Sequence, residues 1–408
     1  MKKVLIVGAG VVGLNTALQI FLNHGSDVQI TVVEQMSEVA TQTSFANGGQ
    51  VSVCNSSAWN TWGNVFKGIK WLFDETAPLK ISGNLTRQKI QWLGKFLSEI
   101  KNEAENTNET FEIARKSRAL YNDFFNLNAI DLPSLNRNGI YKVYRSAESF
   151  DRGIDESHKF NSYGEPSIIK DMGLNLHIGH EMDFENFKYA EMLADLKIGS
   201  LASKIVGGVF YPLDFTFNLH EYCVNLHNFL KENGVKFIFN SYIINGFDNL
   251  FDIIIYCTGV GVNDIGMMHG VEIDVYPVKG YSVTYDLSSN LDLNTSILDE
   301  DNKIVASVFN GRNGKKMLRV AGTAELCGYD YSYSQVHPRI QMLHDWAVEH
   351  DLVDNNTPFM PYSCLRPMTP KMLPFIRRIA PNKFIHGGHG HLGQTMSMET
   401  ARCVSQLI

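Results

Sequence analysis

Four residues near the N-terminus have the types and spacing of a dinucleotide-binding site. Gly8, Gly10 and Gly13 form a G-x-G-x-x-G motif, and Glu34 follows about 20 residues later. Gly8 permits a tight turn, Gly10 lets the backbone approach a pyrophosphate, and Gly13 lets a helix pack closely on a strand. The Glu34 carboxylate can accept hydrogen bonds from the hydroxyls of an adenosine ribose. The motif by itself leaves NAD and FAD equally open.

The residues around this motif have the pattern of the elements that must position it. An apolar run at 4–7 predicts a strand that leads into the glycines, a helical pattern follows them, and a second apolar run at 30–33 ends on the acid. The free N–H groups and the dipole at the start of such a helix stabilise a bound pyrophosphate. We therefore place Val11 and Val12, at the start of the helix, and Gln35, after the acid, in the predicted nucleotide site.

The overall composition is that of a globular protein without affinity for nucleic acid. The 408 residues suffice for about two or three domains, and a formal net charge of −7 argues against a phosphate backbone as partner. The six cysteines are scattered without a C-x-x-C pair, so neither a disulfide framework nor a metal site is predicted. The N-terminus lacks a signal-peptide pattern, and no apolar run reaches the roughly 18 residues that cross a bilayer. We expect a cytoplasmic protein that contacts the inner membrane at most peripherally, from the cytoplasmic face.

Further strand and glycine patterns divide the chain into two interleaved parts. Apolar runs at 251–256 and 383–386 each lead into a glycine-bearing segment, as expected for a nucleotide crevice at the carboxyl ends of strands. We therefore predict an α/β protein with a discontinuous Rossmann-like domain and an α+β substrate domain that contains a β-sheet. The proline-rich stretch 361–374 predicts a turn. The predicted boundaries are 1–84 with 195–275 and 361–408 for the nucleotide-binding domain, and 85–194 with 276–360 for the substrate domain.

Several segments, in this order along the chain, resemble one enzyme family. Residues 43–50, with the sequence T-S-F-A-N-G-G-Q, closely resemble the T-S-F-A-N-A-G-Q segment of bacterial D-amino acid dehydrogenases. Over nearly its whole length the chain is similar to this family and to the wider D-amino acid oxidase-like superfamily of FAD enzymes, which includes glycine oxidase. The other segments that carry the resemblance are 68–73 with 77–79, 277–282, 365–370 and 388–393.

The resemblance implies FAD, rather than NAD, as the cofactor of the Rossmann-like domain. It also implies oxidative deamination of a D-amino acid to a 2-oxo acid and ammonia, with hydride transfer from the substrate Cα to flavin N5. In this family the electrons pass to a quinone-type acceptor of the respiratory chain. The amphipathic segment 59–73, with aromatic residues at helical spacing and two lysines, is a candidate for the membrane contact. Packing of the same aromatic stripe on the core is the alternative.

Arg366 is the main candidate for a catalytic residue. A guanidinium can hold a substrate carboxylate by two parallel charge-assisted hydrogen bonds, and the resemblance to related amine oxidases implies this role. The alternative is a structural arginine that pairs with a backbone carbonyl or an acid. Lys279 and Tyr281 are candidates for lining a pocket between the two domains, with ordinary strand packing as an equal alternative.

Three further segments are candidates for contacts with FAD. Thr43 and Ser44 can hydrogen-bond the pyrophosphate or the ribityl chain, and small residues after them can approach the isoalloxazine closely. Backbone N–H groups at the start of the C-terminal helix can stabilise negative charge on reduced flavin. His389 and His391 can add to this effect if they are positively charged, and a local structural role is the alternative for both. The remaining candidates are Ala46, Asn47, Gly48, Gly49, Thr258, Gly259, Gly388, Gly390, Leu392 and Gly393.

Cys364 leads to an alternative function within the same superfamily. It stands before Leu365 and Arg366, where D-amino acid dehydrogenases usually have glycine, and related sarcosine oxidases carry nearby a cysteine that bonds covalently to the flavin. The alternative is therefore a glycine- or sarcosine-type amine oxidase that uses oxygen, with the flavin attached at Cys364. An NAD(P)-dependent dehydrogenase and a non-catalytic flavin-binding module are two further alternatives.

Overall fold

The computed structural model describes residues 1–63, 65–66, 78–171, 176–178, 199–242, 250–287, 291, 293–310 and 315–408. Most of the proposed membrane segment 59–73 lies outside these residues. The family-like segment 68–73 and the predicted domain boundary between residues 194 and 195 also lie outside them. Within the described residues, no helix is both long and apolar enough to span a bilayer.

The strands belong to two large sheets and one small ladder. In chain order they are β1 Lys2–Val7, β2 Val28–Val33, β3 Gln50–Val51, β4 Leu79–Ile81, β5 Ile140–Tyr144, β6 Ile168–Asp171, β7 Leu176–Ile178, β8 Gly207–Tyr211, β9 Phe215–Thr216, β10 Lys236–Ile238, β11 Ile253–Tyr256, β12 Tyr276–Leu287, β13 Ser296–Asp299, β14 Ile304–Asn310, β15 Lys316–Leu326, β16 Met360–Met368, β17 Phe375–Ala380 and β18 Lys383–Gly387.

Several helices of the described residues begin at a side-chain cap. Thr86 accepts a hydrogen bond from the N–H of Lys89, and Ser146 forms a capping box with Ser149, so polar side chains bind N–H groups that have no partner within the helix. In chain order the helices are α1 Val11–His24, α2 Arg87–Ser98, α3 Glu103–Asn126, α4 Ala147–Ser162, α5 Leu219–Glu232, α6 Val262–Met268, α7 Pro338–Glu349 and α8 Gly393–Ser405.

The first sheet has the Rossmann-like arrangement. Its strand order is β10-β2-β1-β11-β18-β17, and all its neighbouring strands are parallel except β17, which is antiparallel to β18. The central strands β1, β2 and β11 are mostly apolar and buried, as expected where helices cover a parallel sheet, while the edge strands β10 and β17 are more exposed. The carboxyl ends of β1 and β11 lie side by side and lead into Gly8 and Thr258, which is where such folds bind nucleotides. One apolar cluster joins the sheet to the helices around it, with Leu14, Tyr121, Leu226 and Met398 from α1, α3, α5 and α8.

The second sheet is larger and mostly antiparallel. Its strand order is β16-β12-β15-β14-β13-β5-β8-β6-β7, and β4 pairs with β15 beside this path. Helix α7 covers part of one face, where Leu343 and Trp346 pack in one cluster with Val283 and Val320. The predicted fold class, a Rossmann-like part combined with a second part that contains a β-sheet, is thereby confirmed.

The predicted turn over 361–374 is wrong in its first half. Met360–Met368 form β16, which pairs with β12 in antiparallel register. β16 lies at the edge of the second sheet, and a proline, which lacks an N–H, is tolerated on an edge strand. The edge position explains how Pro361 and Pro367 occur in a strand. The correction matters because this strand places Arg366 beside β12.

The sheets depart from the predicted domain boundaries at several elements. β8 and most of β16 belong to the second sheet, although they fall in ranges predicted for the nucleotide-binding domain. Conversely, α3 lies in the range predicted for the substrate domain, but it packs on α8, and its Tyr121 and Phe125 join the core around the first sheet. A sequence pattern shows that a face is apolar but does not show which sheet it covers.

Candidate active site

A cavity of about 1450 Å³ is lined by residues from both sheets. Its wall includes the carboxyl ends of β1 and β11 and reaches β12, β15 and β16. Among the residues predicted for catalysis or cofactor binding, all lie on this wall except Gly13, Gly388 and Lys279. The fold therefore brings together residues that are up to several hundred positions apart, while their individual roles stay predictions.

The three glycines of the N-terminal motif meet different steric demands. Gly8 has a φ of +102°, and a Cβ there would lie 2.5 Å from the carbonyl oxygen of Cys257. At Gly13 a Cβ would lie 1.9 Å from the carbonyl oxygen of Gly8, so only glycine lets α1 pack on the turn. At Gly10 a Cβ would meet, within the described part of the chain, only the Ser44 hydroxyl at 3.5 Å. Gly10 is thus the one glycine of the motif whose missing side chain leaves room in the cavity.

The acid and the serine of the predicted site hold the N-terminal turn in place. The Glu34 carboxylate accepts hydrogen bonds from the N–H groups of Ala9, at 2.7 Å, and Met36, at 3.0 Å. The Ser44 hydroxyl accepts one from the N–H of Val11 at 3.1 Å, within the first turn of α1. Both side chains line the cavity, and both keep lone pairs that a ligand can use.

Gly10→Ala is expected to separate cofactor binding from folding. The apoprotein should keep its thermal midpoint, because the added methyl group meets only the Ser44 hydroxyl at an ordinary distance. The affinity for FAD should fall at least about tenfold, because the same methyl group occupies the space that a pyrophosphate needs at the start of α1. Fluorescence titration with FAD and thermal unfolding of the apoprotein measure the two effects.

Gly13→Ala is the contrasting variant for this experiment. Its methyl group would collide with backbone rather than with the ligand space, so it should lower the thermal midpoint of the apoprotein itself. A Gly10→Ala protein with unchanged FAD affinity would show that the cofactor phosphates bind elsewhere.

The second sheet holds the backbone of residues 46–48 through three side chains. The carbonyl oxygens of these residues accept hydrogen bonds from Ser282 on β12 at 2.8 Å, Arg319 on β15 at 3.2 Å and Ser307 on β14 at 2.7 Å. Arg319 is buried, has no acidic partner in the described part of the chain, and has a pKa lowered by burial to about 10. The segment predicted to approach the flavin is therefore fixed by strands from another sheet, and the sequence held no local signal for these contacts.

Two polar side chains of the same segment are engaged within the protein. The Thr43 hydroxyl donates to the carbonyl of Leu365 at 2.8 Å, and the Asn47 amide donates to the Gln394 side chain at 2.8 Å. These bonds connect the segment to β16 and to the first turn of α8. A hydrogen bond from Thr43 to a pyrophosphate or ribityl chain stays a prediction.

Of the histidines near the start of α8, His389 is buried and His391 is half-buried on the cavity wall. Burial lowers the pKa of both His389 and His391 to about 3, and it also lowers the pKa of His386 on β18. His389 bonds to the Thr400 hydroxyl at 2.9 Å, and His391 stacks on Trp59 with ring centroids 4.4 Å apart. The lowered pKa values disfavour the positively charged forms, so a charge contribution of these histidines to a bound flavin stays a prediction. His386 is a wall residue that sequence reasoning missed.

Arg366 lies on the cavity wall with its guanidinium held by backbone. Nη1 donates to the carbonyl of Thr323 at 2.5 Å, and Nη2 donates to that of Gly322 at 3.3 Å. Among the residues that the structure describes, no carboxylate pairs with it, and burial lowers its pKa from the ordinary arginine value. Arg366 therefore bonds to backbone carbonyls, as the structural alternative expects. It has no acidic partner among the described residues, so its positive charge stays uncompensated in the cavity.

The other two catalytic candidates point away from Arg366. Lys279 does not line the cavity, because its ammonium donates to Asp330 at 3.0 Å and to the carbonyl of Ser332. Tyr281 contributes to the wall, but its hydroxyl donates to Glu325 at 2.6 Å on the other side of the strand. The pocket-lining role that we expected for Lys279 is not realised, and the lysine instead anchors the loop after β15.

Cys364 lies on the cavity wall two residues before Arg366. Burial raises the pKa of its thiol, and the nearby Arg366 charge opposes this effect only in part. The position permits contact with a ligand in the cavity, while the raised pKa disfavours the nucleophilic thiolate.

Comparison with known proteins identifies the family of this chain. Residues 3–407 match the family described as FAD dependent oxidoreductase. D-amino acid dehydrogenase 3 of Mesorhizobium japonicum is 34% identical and D-amino acid dehydrogenase of Vibrio cholerae is 30% identical, each over 100% of this chain and 97% or 95% of the relative. The chain belongs to this family of FAD-dependent oxidoreductases, and its cofactor is FAD.

Solved structures of low sequence identity share the fold. Glycine oxidase from Bacillus cereus has a TM-score of 0.65 at 16% identity, with coverage of 100% of this chain and 94% of that one. L-proline dehydrogenase from P. horikoshii has a TM-score of 0.66 at 15% identity, with coverage of 100% and 92%. These likenesses confirm the architecture and carry no statement about the substrate.

The residues of the cavity fit FAD on observations of this structure. The space beside Gly10 admits a pyrophosphate against the N-terminus of α1, and Glu34 lies beside that turn with free lone pairs. The Thr258 hydroxyl, two residues after β11, is buried and has no hydrogen-bond partner among the described residues, as expected for a group that a ligand satisfies. Gly390, Leu392 and Gly393 also line the cavity, next to the start of α8.

Proposed function

We propose that this protein catalyses the FAD-dependent oxidative deamination of D-amino acids to 2-oxo acids and ammonia. The observation that carries the proposal is the Arg366 guanidinium, which lines the cavity without a carboxylate partner in the described residues. An uncompensated cation in a cavity favours an anionic ligand, and its planar fork fits a carboxylate. The relatives named D-amino acid dehydrogenase, at 34% and 30% identity, support the D-amino acid as the substrate.

The surroundings of Arg366 fit an amino acid held by its carboxylate. Val278, opposite Arg366 on β12, and Ala324, next to Thr323, make the adjacent wall apolar. The neutral His391 adds no charge that would repel the substrate ammonium, since burial and the charges of Arg366 and Lys303 lower its pKa. Arg366 thus binds and orients the substrate, and the apolar wall limits access of water to it.

FAD, when bound, supplies the redox chemistry by accepting a hydride from the substrate Cα at flavin N5. The chain contributes the alignment of the substrate rather than a strong base. His389 and His391 are weak bases with pKa values of about 3. This agrees with a reaction in which the substrate amine is already neutral when the hydride leaves, and in which the imino acid product then hydrolyses.

For the electron acceptor we propose a membrane quinone that the enzyme reaches through the segment 59–73. Trp62 and Phe66 in this segment are 60% and 61% exposed, and their ring centroids lie 6.1 Å apart. Their exposure supports contact with a membrane surface over the alternative that the aromatic stripe packs on the core.

Anaerobic reduction of the bound flavin tests the proposed reaction. The purified holoenzyme is mixed without oxygen with a panel of D- and L-amino acids, glycine, sarcosine and L-proline, and the loss of flavin absorption is recorded. We expect D-amino acids to bleach the flavin at least about tenfold faster than their L-enantiomers. Bleaching by sarcosine or glycine alone would favour the alternative amine oxidase, and no bleaching by any compound would favour a binding module.

Reoxidation of the bleached enzyme identifies the acceptor. A soluble quinone should restore the flavin absorption much faster than air-saturated buffer does. Faster reoxidation by oxygen, with yellow colour that stays on the polypeptide after denaturation, would support the oxidase with flavin attached at Cys364.

A further inference from the structure

Strands β12 and β15 lose their regular register beside Arg366. Tyr281 lies opposite Gly322, but Lys279 lies opposite Glu325, so Gly280 alone faces two residues of β15. This is a β-bulge, which bends one strand and redirects its groups. The two residues that Gly280 faces are Thr323 and Ala324, and both line the cavity.

The bulge turns two carbonyl groups toward one guanidinium. Thr323 has a φ of +59°, a left-handed conformation that is strained for a β-branched residue. In this conformation its carbonyl accepts a hydrogen bond from Nη1 of Arg366, while the preceding carbonyl of Gly322 accepts one from Nη2. Strain of this kind persists where the surroundings enforce it, often at functional sites.

Gly280 supplies the surface on which the guanidinium lies. A Cβ at Gly280 would be 2.2 Å from Nη2 and 2.3 Å from Cζ of Arg366. Gly280 does not have a positive φ, so the backbone itself does not require glycine there. The guanidinium occupies the space of the absent side chain, and any larger residue would displace it.

We propose that the bulge formed by Gly280 opposite Thr323 and Ala324, with the carbonyls of Gly322 and Thr323, is the positioning element that fixes the Arg366 fork for a substrate carboxylate. The carbonyls of Thr323 and Gly322 accept hydrogen bonds from two of the five N–H donors of the guanidinium, and the other donors stay available to the ligand. Because the side chain is already held, binding does not need to order it. This inference rests on the carboxylate-binding role given to Arg366 under the proposed function.

The variant Gly280→Ala tests this inference in the FAD-loaded enzyme. Its methyl group should push the guanidinium out of the carbonyl pair and weaken binding of pyruvate, a 2-oxo acid of the proposed product class, at least about tenfold. The shift in flavin absorption on titration with pyruvate measures the dissociation constant. Gly94→Ala is the matched control, because Gly94 lies exposed on α2 and, beyond its own helix backbone, no atom of the described residues lies within 4 Å of the added Cβ. Thermal midpoint and flavin content show that both variants are folded.

A double variant distinguishes positioning of Arg366 from general damage. Lysine at 366 has no planar fork to lie on Gly280, so Gly280→Ala should weaken pyruvate binding less than about twofold further in an Arg366→Lys enzyme. A full additional tenfold loss there, or a change below twofold in the single Gly280→Ala variant, would overturn the inference. If Arg366→Lys alone left pyruvate binding unchanged, the carboxylate-binding role itself would fail instead.

Discussion

Arg366→Lys is expected to lower kcat/KM for D-amino acids by about two to four orders of magnitude. Lysine keeps the positive charge but loses the planar fork that makes two parallel hydrogen bonds to a carboxylate. Each such charge-assisted bond contributes about 1.5–3 kcal/mol, and a tenfold change corresponds to about 1.4 kcal/mol. Steady-state kinetics of the holoenzyme with D-alanine and a quinone acceptor measures the loss.

The matched control is Arg115→Lys, a change of the same chemistry on the surface of α3. Arg115 is 43% exposed and pairs with Glu112 within its own helix, so its replacement should leave kcat/KM unchanged. An Arg366→Lys enzyme with the kcat/KM of the parent would show that this guanidinium does not hold the substrate. The effect should fall on turnover as well as on KM, because a misplaced carboxylate also misplaces the Cα.

The site divides into residues that local sequence reveals and residues that only the fold reveals. The glycine motif and Glu34 could be predicted because one strand, one turn and one helix make that part of the site. Arg366 could be predicted from its chemistry and its neighbours in the sequence. Its orientation could not, because it depends on the pairing of β16 with β12 and on a bulge in β15. Strand register is a non-local property that no segment encodes alone.

Burial is the second property that a single segment does not encode. Lys279 and Tyr281 stand two apart on one strand and carry polar groups, so they were reasonable candidates for a pocket. The structure directs their polar groups to Asp330 and Glu325 instead. In the same way Arg319, which the sequence did not single out, is buried against the backbone of Asn47. The partners and the burial of charged side chains such as Lys279 and Arg319 can be inferred only when the neighbouring strands are known.

We expect the protein to become less stable in mild acid, because the pKa values of His389 and His391 are lowered in the folded state. His389 and His391 have pKa values of about 3 in the folded protein, against about 6.5 in an unfolded chain. Below pH 6.5 the unfolded chain therefore binds more protons than the folded one, and stability falls progressively as the pH drops from 6.5 toward 3. Between pH 7 and pH 5 the buried His389 should lower the free energy of unfolding by about 2 kcal/mol, and the half-buried His391 should add a smaller loss.

Urea unfolding of the apoprotein at pH 7 and pH 5 measures this loss, and variants assign it. His389→Asn removes the titrating imidazole and cannot be protonated, so it should remove about 2 kcal/mol of the difference between the two pH values. His158→Asn, at an exposed position of α4, is the control and should leave the difference unchanged. Equal pH dependence in the His389→Asn variant and the parent would mean that this imidazole takes up a proton in the folded protein as readily as in the unfolded chain. In that case His389 would gain a positive charge in mild acid, and the electrostatics of the site would have to be reassigned.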